Sequence, residues 1–154
     1  MTYESDALER LRTAIDEVDN KLIELLSARA NIVLEVGKYK RDSKTPIYAP
    51  HREREVLDKI LAANKGPLSD KTIEAIYREL MSGSFQLEQP LNIAHLAPNG
   101  SFSHIAAIRH FGSSVECVGV PTIERVFREV ASGHCNYGLV PYENTTSGSI
   151  TETL

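Results

Sequence analysis

The stretch LERLRTAIDEVDNKLIELLSARANIVLEVGKYK, residues 8–40, decides the fold of the first part of this chain. Its apolar residues recur at alternating steps of three and four: Leu8, Leu11, Ile15, Val18, Leu22, Leu25, Ile32, Val36 and Tyr39. Such a heptad seam belongs to a helix that packs along another helix. The next proline is Pro46. The spacing therefore predicts one helix from about Asp6 to about Lys44, ~58 Å long at ~1.5 Å per residue. That exceeds the diameter of a small domain, so most of the apolar stripe needs a partner.

Downstream, the pattern offers two shorter helices, near 50–64 and 70–89. Pro50 suits the first turn of one and Ser69 the N-cap of the other. Asn64-Lys65-Gly66-Pro67 forms the loop between them. These helices are too short to cover the first. The seam thus predicts a homodimer through the long N-terminal helix.

Polar residues interrupt the seam. Arg29 stands where an apolar residue belongs, and Lys40 lies about three turns further along nearly the same side. Arg12 sits on the border of the stripe, 17 residues before Arg29. A solvated or snorkelling cation is the ordinary reading of each. It is weakest for Arg29, because a buried cation calls for an anion from the protein or from a ligand. The second helix opens with His51-Arg52-Glu53-Arg54, and the third ends with Ser84 and Glu88, which share a face at i,i+4. Cations, two carboxylates and a hydroxyl converging on a three-helix core suit a small dianion that also carries hydroxyl and ether oxygens.

The chain has 154 residues, 42% hydrophobic and 25% charged, the balance of a globular protein with room for one ordinary domain or two small ones. No apolar run approaches the ~20 residues of a membrane helix. The polar N-terminus, MTYESDALER, does not read as a secretory signal. Cys117 and Cys135 have no pattern of a disulfide framework or zinc site and imply a reducing, cytoplasmic setting. A net charge of −4 argues against nucleic acid as a partner. Residues 1–90 hold 14 Lys+Arg and 16 Asp+Glu, whereas 91–154 hold 3 Arg, no Lys and 5 acids. This break, with Gln89-Pro90 at it, sets a predicted domain boundary near residue 90.

Together, residues 8–40 and the following PIYAPHRERE resemble the all-helical chorismate mutase family. The carrying elements are Leu-Arg, Asp19, Leu-Leu-x-x-Arg, Val-Gly-x-x-Lys and Arg-Glu, and the resemblance covers about residues 6–89. It implies an intertwined dimer and a [3,3] rearrangement of chorismate to prephenate with no cofactor and no metal. It further implies that Arg29 and the partner subunit's Arg12 hold the two carboxylates of the substrate. Lys40 would meet the ether oxygen and a carboxylate, and Glu53 the ring hydroxyl. Arg52 would support the pocket, while Ser84 and Glu88 close it. Catalysis would come from positioning and from stabilising charge as the ether bond breaks. Two departures stand out: Ala49 replaces an aspartate of some members, and Glu88 a glutamine of others. A glutamate must be protonated to donate a hydrogen bond, so activity is expected to fall as pH rises and Glu88 loses its proton.

From Leu91 the pattern becomes β-α-β-α-β: LNIAHLA, SFSHIAAIRHF, VECVGV, IERVFREVAS and YGLVPYE. Short loops between them predict a parallel sheet. Ser101 suits an N-cap, and the turns Asn99-Gly100-Ser101 and Asn144 to Gly148 lie where open α/β sheets bind ligands, although on pattern alone ordinary turn and cap chemistry is the simpler reading. Ala97-Pro98-Asn99-Gly100-Ser101-Phe102-Ser103-His104 and Pro141-Tyr142-Glu143-Asn144-Thr145-Thr146-Ser147-Gly148 resemble the start of prephenate dehydratase. That resemblance implies a substrate-binding loop with Asn144, Thr145 and Ser147. The order of the two parts matches the bifunctional enzymes of phenylalanine biosynthesis. The chain ends at Leu154 and contains no Thr-Arg-Phe, a later motif of that family, so an incomplete dehydratase domain without activity is expected over 91–154. Its half-sheet is expected to leave an edge open and an apolar face uncovered. A helical dimerisation module without activity would keep the seam, yet would not need Arg29, Lys40 and Glu53 together.

Overall fold

The heptad stretch forms one α-helix, α1 (Thr2–Ser43), which begins earlier than its apolar spacing predicts. At ~1.5 Å per residue it is ~63 Å long. The structure, a computed structural model, describes residues 2–43, 48–144 and 148–153. Helices α2 (Pro50–Ala63) and α3 (Asp70–Glu88) follow as their caps dictate. Pro50 occupies the first turn of α2, where its missing N–H costs nothing. Ser69 Oγ accepts from Thr72 N at 3.2 Å and caps α3. Between them the Asn64 amide ties the loop, donating to Leu68 O at 3.0 Å and to Asp70 Oδ1 at 2.8 Å.

The seam is not what α1 offers to α3. The helices meet through a stripe on the flank of the seam, which shares Arg29 with it and adds the buried Val33 and Gly37, and Lys40. Gly37 permits the closest approach: a Cβ there would lie 2.9 Å from Glu88 Cα. The seam itself stays open, with Leu25 68% and Tyr39 74% exposed.

Beyond α3 come β1 (Asn92–Leu96), α4 (Phe102–Phe111), β2 (Glu116–Val120), α5 (Ile123–Ala131) and β3 (Tyr137–Leu139). The strands form a parallel sheet in the order β2-β1-β3, with Ile93 opposite both Cys117 and Tyr137. Ser101 Oγ caps α4 by accepting from His104 N, and Thr122 Oγ1 caps α5 by accepting from Arg125 N. Gly133, at φ +76°, follows the end of α5 in a conformation that suits glycine. The third strand stops at Leu139, short of the YGLVPYE stretch expected to form it. Pro141, without an N–H, cannot continue a ladder. Instead Glu143–Asn144 (β4) and Gly148–Ser149 (β5) pair antiparallel, an element the sequence pattern did not announce.

One expectation is corrected. Both faces of the sheet are covered among the described residues. On one face Leu91 and Ile93 pack with Ala107, Phe111 and Val115, and this core continues into Phe85 of α3 and Tyr48. On the other, Ala94 and Val120 pack with Val126 of α5 and Cys135. Fully burying a side chain such as Ile93 stabilises by about 1.5–3 kcal/mol, so the helical part supplies cover that a half-sheet alone would lack.

The contact between the two parts is close. Gly112, at φ +81°, lies so near α3 that a Cβ would stand 2.4 Å from Ser82 Cβ. Ser114 N donates to Ser82 Oγ at 3.0 Å, and Ser113 N and Oγ both donate to the Glu79 carboxylate.

Candidate active site

A cavity of about 250 Å³ opens between the three helices of the first part. From α1 it receives Arg29, Val33, Val36 and Lys40, which recur every three to four residues on one side of the helix. Ala49 and the first turns of α2 add Arg52, Glu53 and Val56, and the last turns of α3 add Met81, Ser84, Phe85 and Glu88. Six of the residues expected in a site therefore meet at one place: Arg29, Lys40, Arg52, Glu53, Ser84 and Glu88.

Their polar groups hold one another in place. Arg29 Nη1 donates to Ser84 Oγ at 2.6 Å, and Ser84 Oγ donates to Leu80 O at 2.8 Å. Lys40 Nζ donates to Glu88 Oε2 at 2.6 Å, in a pair whose side chains are 21% and 9% exposed. Arg41 Nη1 donates to the Glu88 backbone carbonyl, which pins the end of α3. Glu53 is half-buried, and desolvation pushes its carboxyl above the ordinary value. A hydrogen bond from Tyr48 and the charge of Arg78 pull the other way. Arg52 reaches the cavity from an exposed position and pairs with Glu55 at 3.0 Å.

Chemically, three cations and two carboxylates ring a wall of Val33, Val36, Val56, Met81 and Phe85. Guanidinium and ammonium groups can grip carboxylates, and Glu53 can accept from a hydroxyl. The apolar wall excludes water and strengthens these interactions.

Arg12 is not part of this cavity. It lies on the exposed N-terminal half of α1, paired with Glu9 at 3.3 Å, ~25 Å from Arg29 along the axis. Asn144 belongs to β4, and Thr145 and Ser147 lie outside the described residues. At the other α/β turn, Ser101 Oγ donates to Leu96 O at 2.9 Å, and His104 Nδ1 accepts from Gly100 N at 3.0 Å. These are cap and turn bonds.

The sequence reading missed the apolar wall and Tyr48. Val33 and Val36 carry a signal, since they lie four and seven residues after Arg29 on its own face. Tyr48 stands outside any helix, and no periodicity points to it.

Residues 11–89 match the family described as chorismate mutase type II, and the chain belongs to that family. Its helical part is a chorismate mutase domain, and residues 93–154 match prephenate dehydratase. Among individual relatives, the protein of Pseudomonas aeruginosa named bifunctional chorismate mutase/prephenate dehydratase is 43% identical over 98% of this chain and 43% of its own length. Those so named from Aquifex aeolicus and Escherichia coli are 38% and 34% identical, with 42% and 44% of their lengths covered. The chain thus spans less than half the length of these relatives. Among solved structures, chorismate mutase (form II) from Thermus thermophilus superposes with a TM-score of 0.53 at 35% identity, covering 53% of this chain and 93% of that one.

Proposed function

We propose that residues 1–90 form a domain that rearranges chorismate to prephenate by a non-covalent [3,3] shift, in the aromatic pathway towards phenylalanine. The observation that carries this reading is the meeting of Arg29, Lys40, Arg52, Glu53, Ser84 and Glu88 around one cavity. In it Arg29 grips a substrate carboxylate, Lys40 serves the ether oxygen, Glu53 accepts the ring hydroxyl, and Ser84 and Glu88 close the pocket. Positioning a compact conformer and stabilising charge on the breaking bond supply the catalysis.

The site is completed by a second copy of the chain. Arg12 cannot reach its own cavity, and the open seam of α1 offers the surface for an intertwined homodimer that brings the partner's Arg12 to it. Residues 91–154 form a second, dehydratase-type domain, with Asn144, Thr145 and Ser147 in its substrate loop and no dehydratase activity in the chain by itself. Two free cysteines suit a reducing compartment such as the cytoplasm. Among the described residues no helix is long and apolar enough to cross a membrane.

Product analysis tests the reaction. Incubated with chorismate, the protein should accumulate prephenate without phenylpyruvate. A folded dimer without turnover would move the reading to an assembly module. Mixing tests the shared site. Arg12→Ala and Arg29→Ala chains, each nearly inactive alone, should recover about a quarter of wild-type activity when reassociated at random. Half the dimers are then mixed, and each mixed dimer has one intact site.

A further inference from the structure

Tyr48 stands where the two parts of the chain meet. Its ring is buried against Phe85 of α3, with centroids 5.7 Å apart, and against Phe111 and Tyr137 of the α/β part, each at 5.2 Å. Its hydroxyl has two polar neighbours. One is His110 Nε2 of α4, at 2.6 Å. The other is the Glu53 carboxylate, which lines one hollow with Tyr48 and His110 and acts on the hydroxyl by its charge and as a hydrogen-bond partner. A phenol has one proton to give. A carboxylate is the stronger acceptor, so that proton goes to Glu53. The phenolic oxygen then accepts from His110, which carries its hydrogen on Nε2.

The result is a directed chain from His110 through Tyr48 to Glu53. We infer that His110, a residue of the α/β part, is a positioning residue for the helical site and orients the Glu53 carboxylate through Tyr48. This rests on reading the cavity as the chorismate site.

The acid–base chemistry agrees with the geometry. Burial, and then the charge of Glu53, pushes the Tyr48 hydroxyl up to about 12, so it remains a donor at any working pH. Its bond draws the Glu53 carboxyl down against desolvation. Other charges face Glu53 as well. Arg78 of α3 also lowers it. Arg29 and Lys40 of α1 and Glu88 of α3 share its cavity. Arg54 and Asp58 of α2, Glu74 of α3 and Arg109 of α4 line, with Glu53 itself, a second hollow. These remain in place when only the Tyr48 hydroxyl or the His110 ring is changed.

Carboxyl-13C NMR of Glu53, run beside the pH profile of kcat/KM for chorismate, tests the chain in the whole protein. Tyr48→Phe keeps the packed ring and removes the hydroxyl. It should raise the Glu53 midpoint and carry the acidic limb of kcat/KM with it, about a tenfold loss on the acid flank. His110→Leu should shift both in the same direction by less. His110→Gln, whose amide can donate, should restore them. Loss of packing alone would not move a titration and be rescued by a donor. Midpoints and limbs that coincide in wild type and Tyr48→Phe would overturn the inference. So would a shift in Tyr48→Phe with none in His110→Leu. Titrations that coincide while wild type turns over chorismate sink the chain alone. Shifted titrations in a protein inert toward chorismate sink the assignment of the cavity and uphold the chain.

Discussion

Lys40 and Glu88 occupy the same cavity end and already hold each other at 2.6 Å. Removing either leaves the other half-satisfied in a place with little water. Lys40→Ala should lower kcat by about 10²–10³ with the dimer intact by sedimentation, since one donor at the reacting bond is worth that much. Glu53 sets the acidic limb of the pH profile. Its carboxyl is raised by desolvation, so the ionised acceptor is lost as pH falls through a value above the ordinary 4.5. The acidic limb of kcat/KM should therefore lie above 4.5 and vanish in Glu53→Gln, whose remaining activity should be low. Arg29 was legible in the sequence because it breaks a regular apolar series. Tyr48 was not, because its neighbours come from positions 37 to 89 residues away, at Phe85, His110 and Tyr137.

At the scale of elements, the approach of α1 to α3 turns on the missing side chain of Gly37. A methyl there would meet Glu88 Cα at 2.9 Å and Glu88 Cβ at 3.3 Å. Backbone cannot swing aside as a flexible side chain can, so the helices must part. Gly37→Ala should cost about 1–3 kcal/mol of stability, read as a lower urea midpoint. It should also cost activity, because Lys40 and Glu88 lie within a turn of the clash. The existence and order of the helices and of the three parallel strands were legible, since caps and hydrophobic period act locally. The side of α1 that α3 takes was not. The seam is the more apolar stripe, but a glycine and two cations define the stripe actually used. The β4–β5 pairing was illegible for a similar reason: two-residue strands carry no period.

In the whole molecule, α1 leaves a long apolar seam open to water, with Leu11 63% and Val18 60% exposed. A second copy would cover it. Val18→Glu and Leu22→Glu should yield a monomer by sedimentation and abolish mutase turnover, because the partner's Arg12 would leave the site. A monomeric variant with full activity would refute the shared site. That α2 and α3 would leave much of the α1 stripe uncovered was readable from its length alone. That the sheet needs no partner on its Ile93 face was not, because Tyr48 and Phe85, which cover it, belong to the helical part.

That borrowed cover limits how the helical part can be cut free as a small stand-alone catalyst. Severed near residue 90, it would carry an oily scar where Phe85 and Tyr48 now face α4 and β3. An engineer could repaint the outer edge of Phe85 with polar groups. Residue 48 admits no such repainting, for its ring belongs to the scar and its hydroxyl serves Glu53 at the cavity wall. The smallest useful catalyst would need a new lid over that tyrosine, with a hydrogen-bond donor built in where His110 stands now.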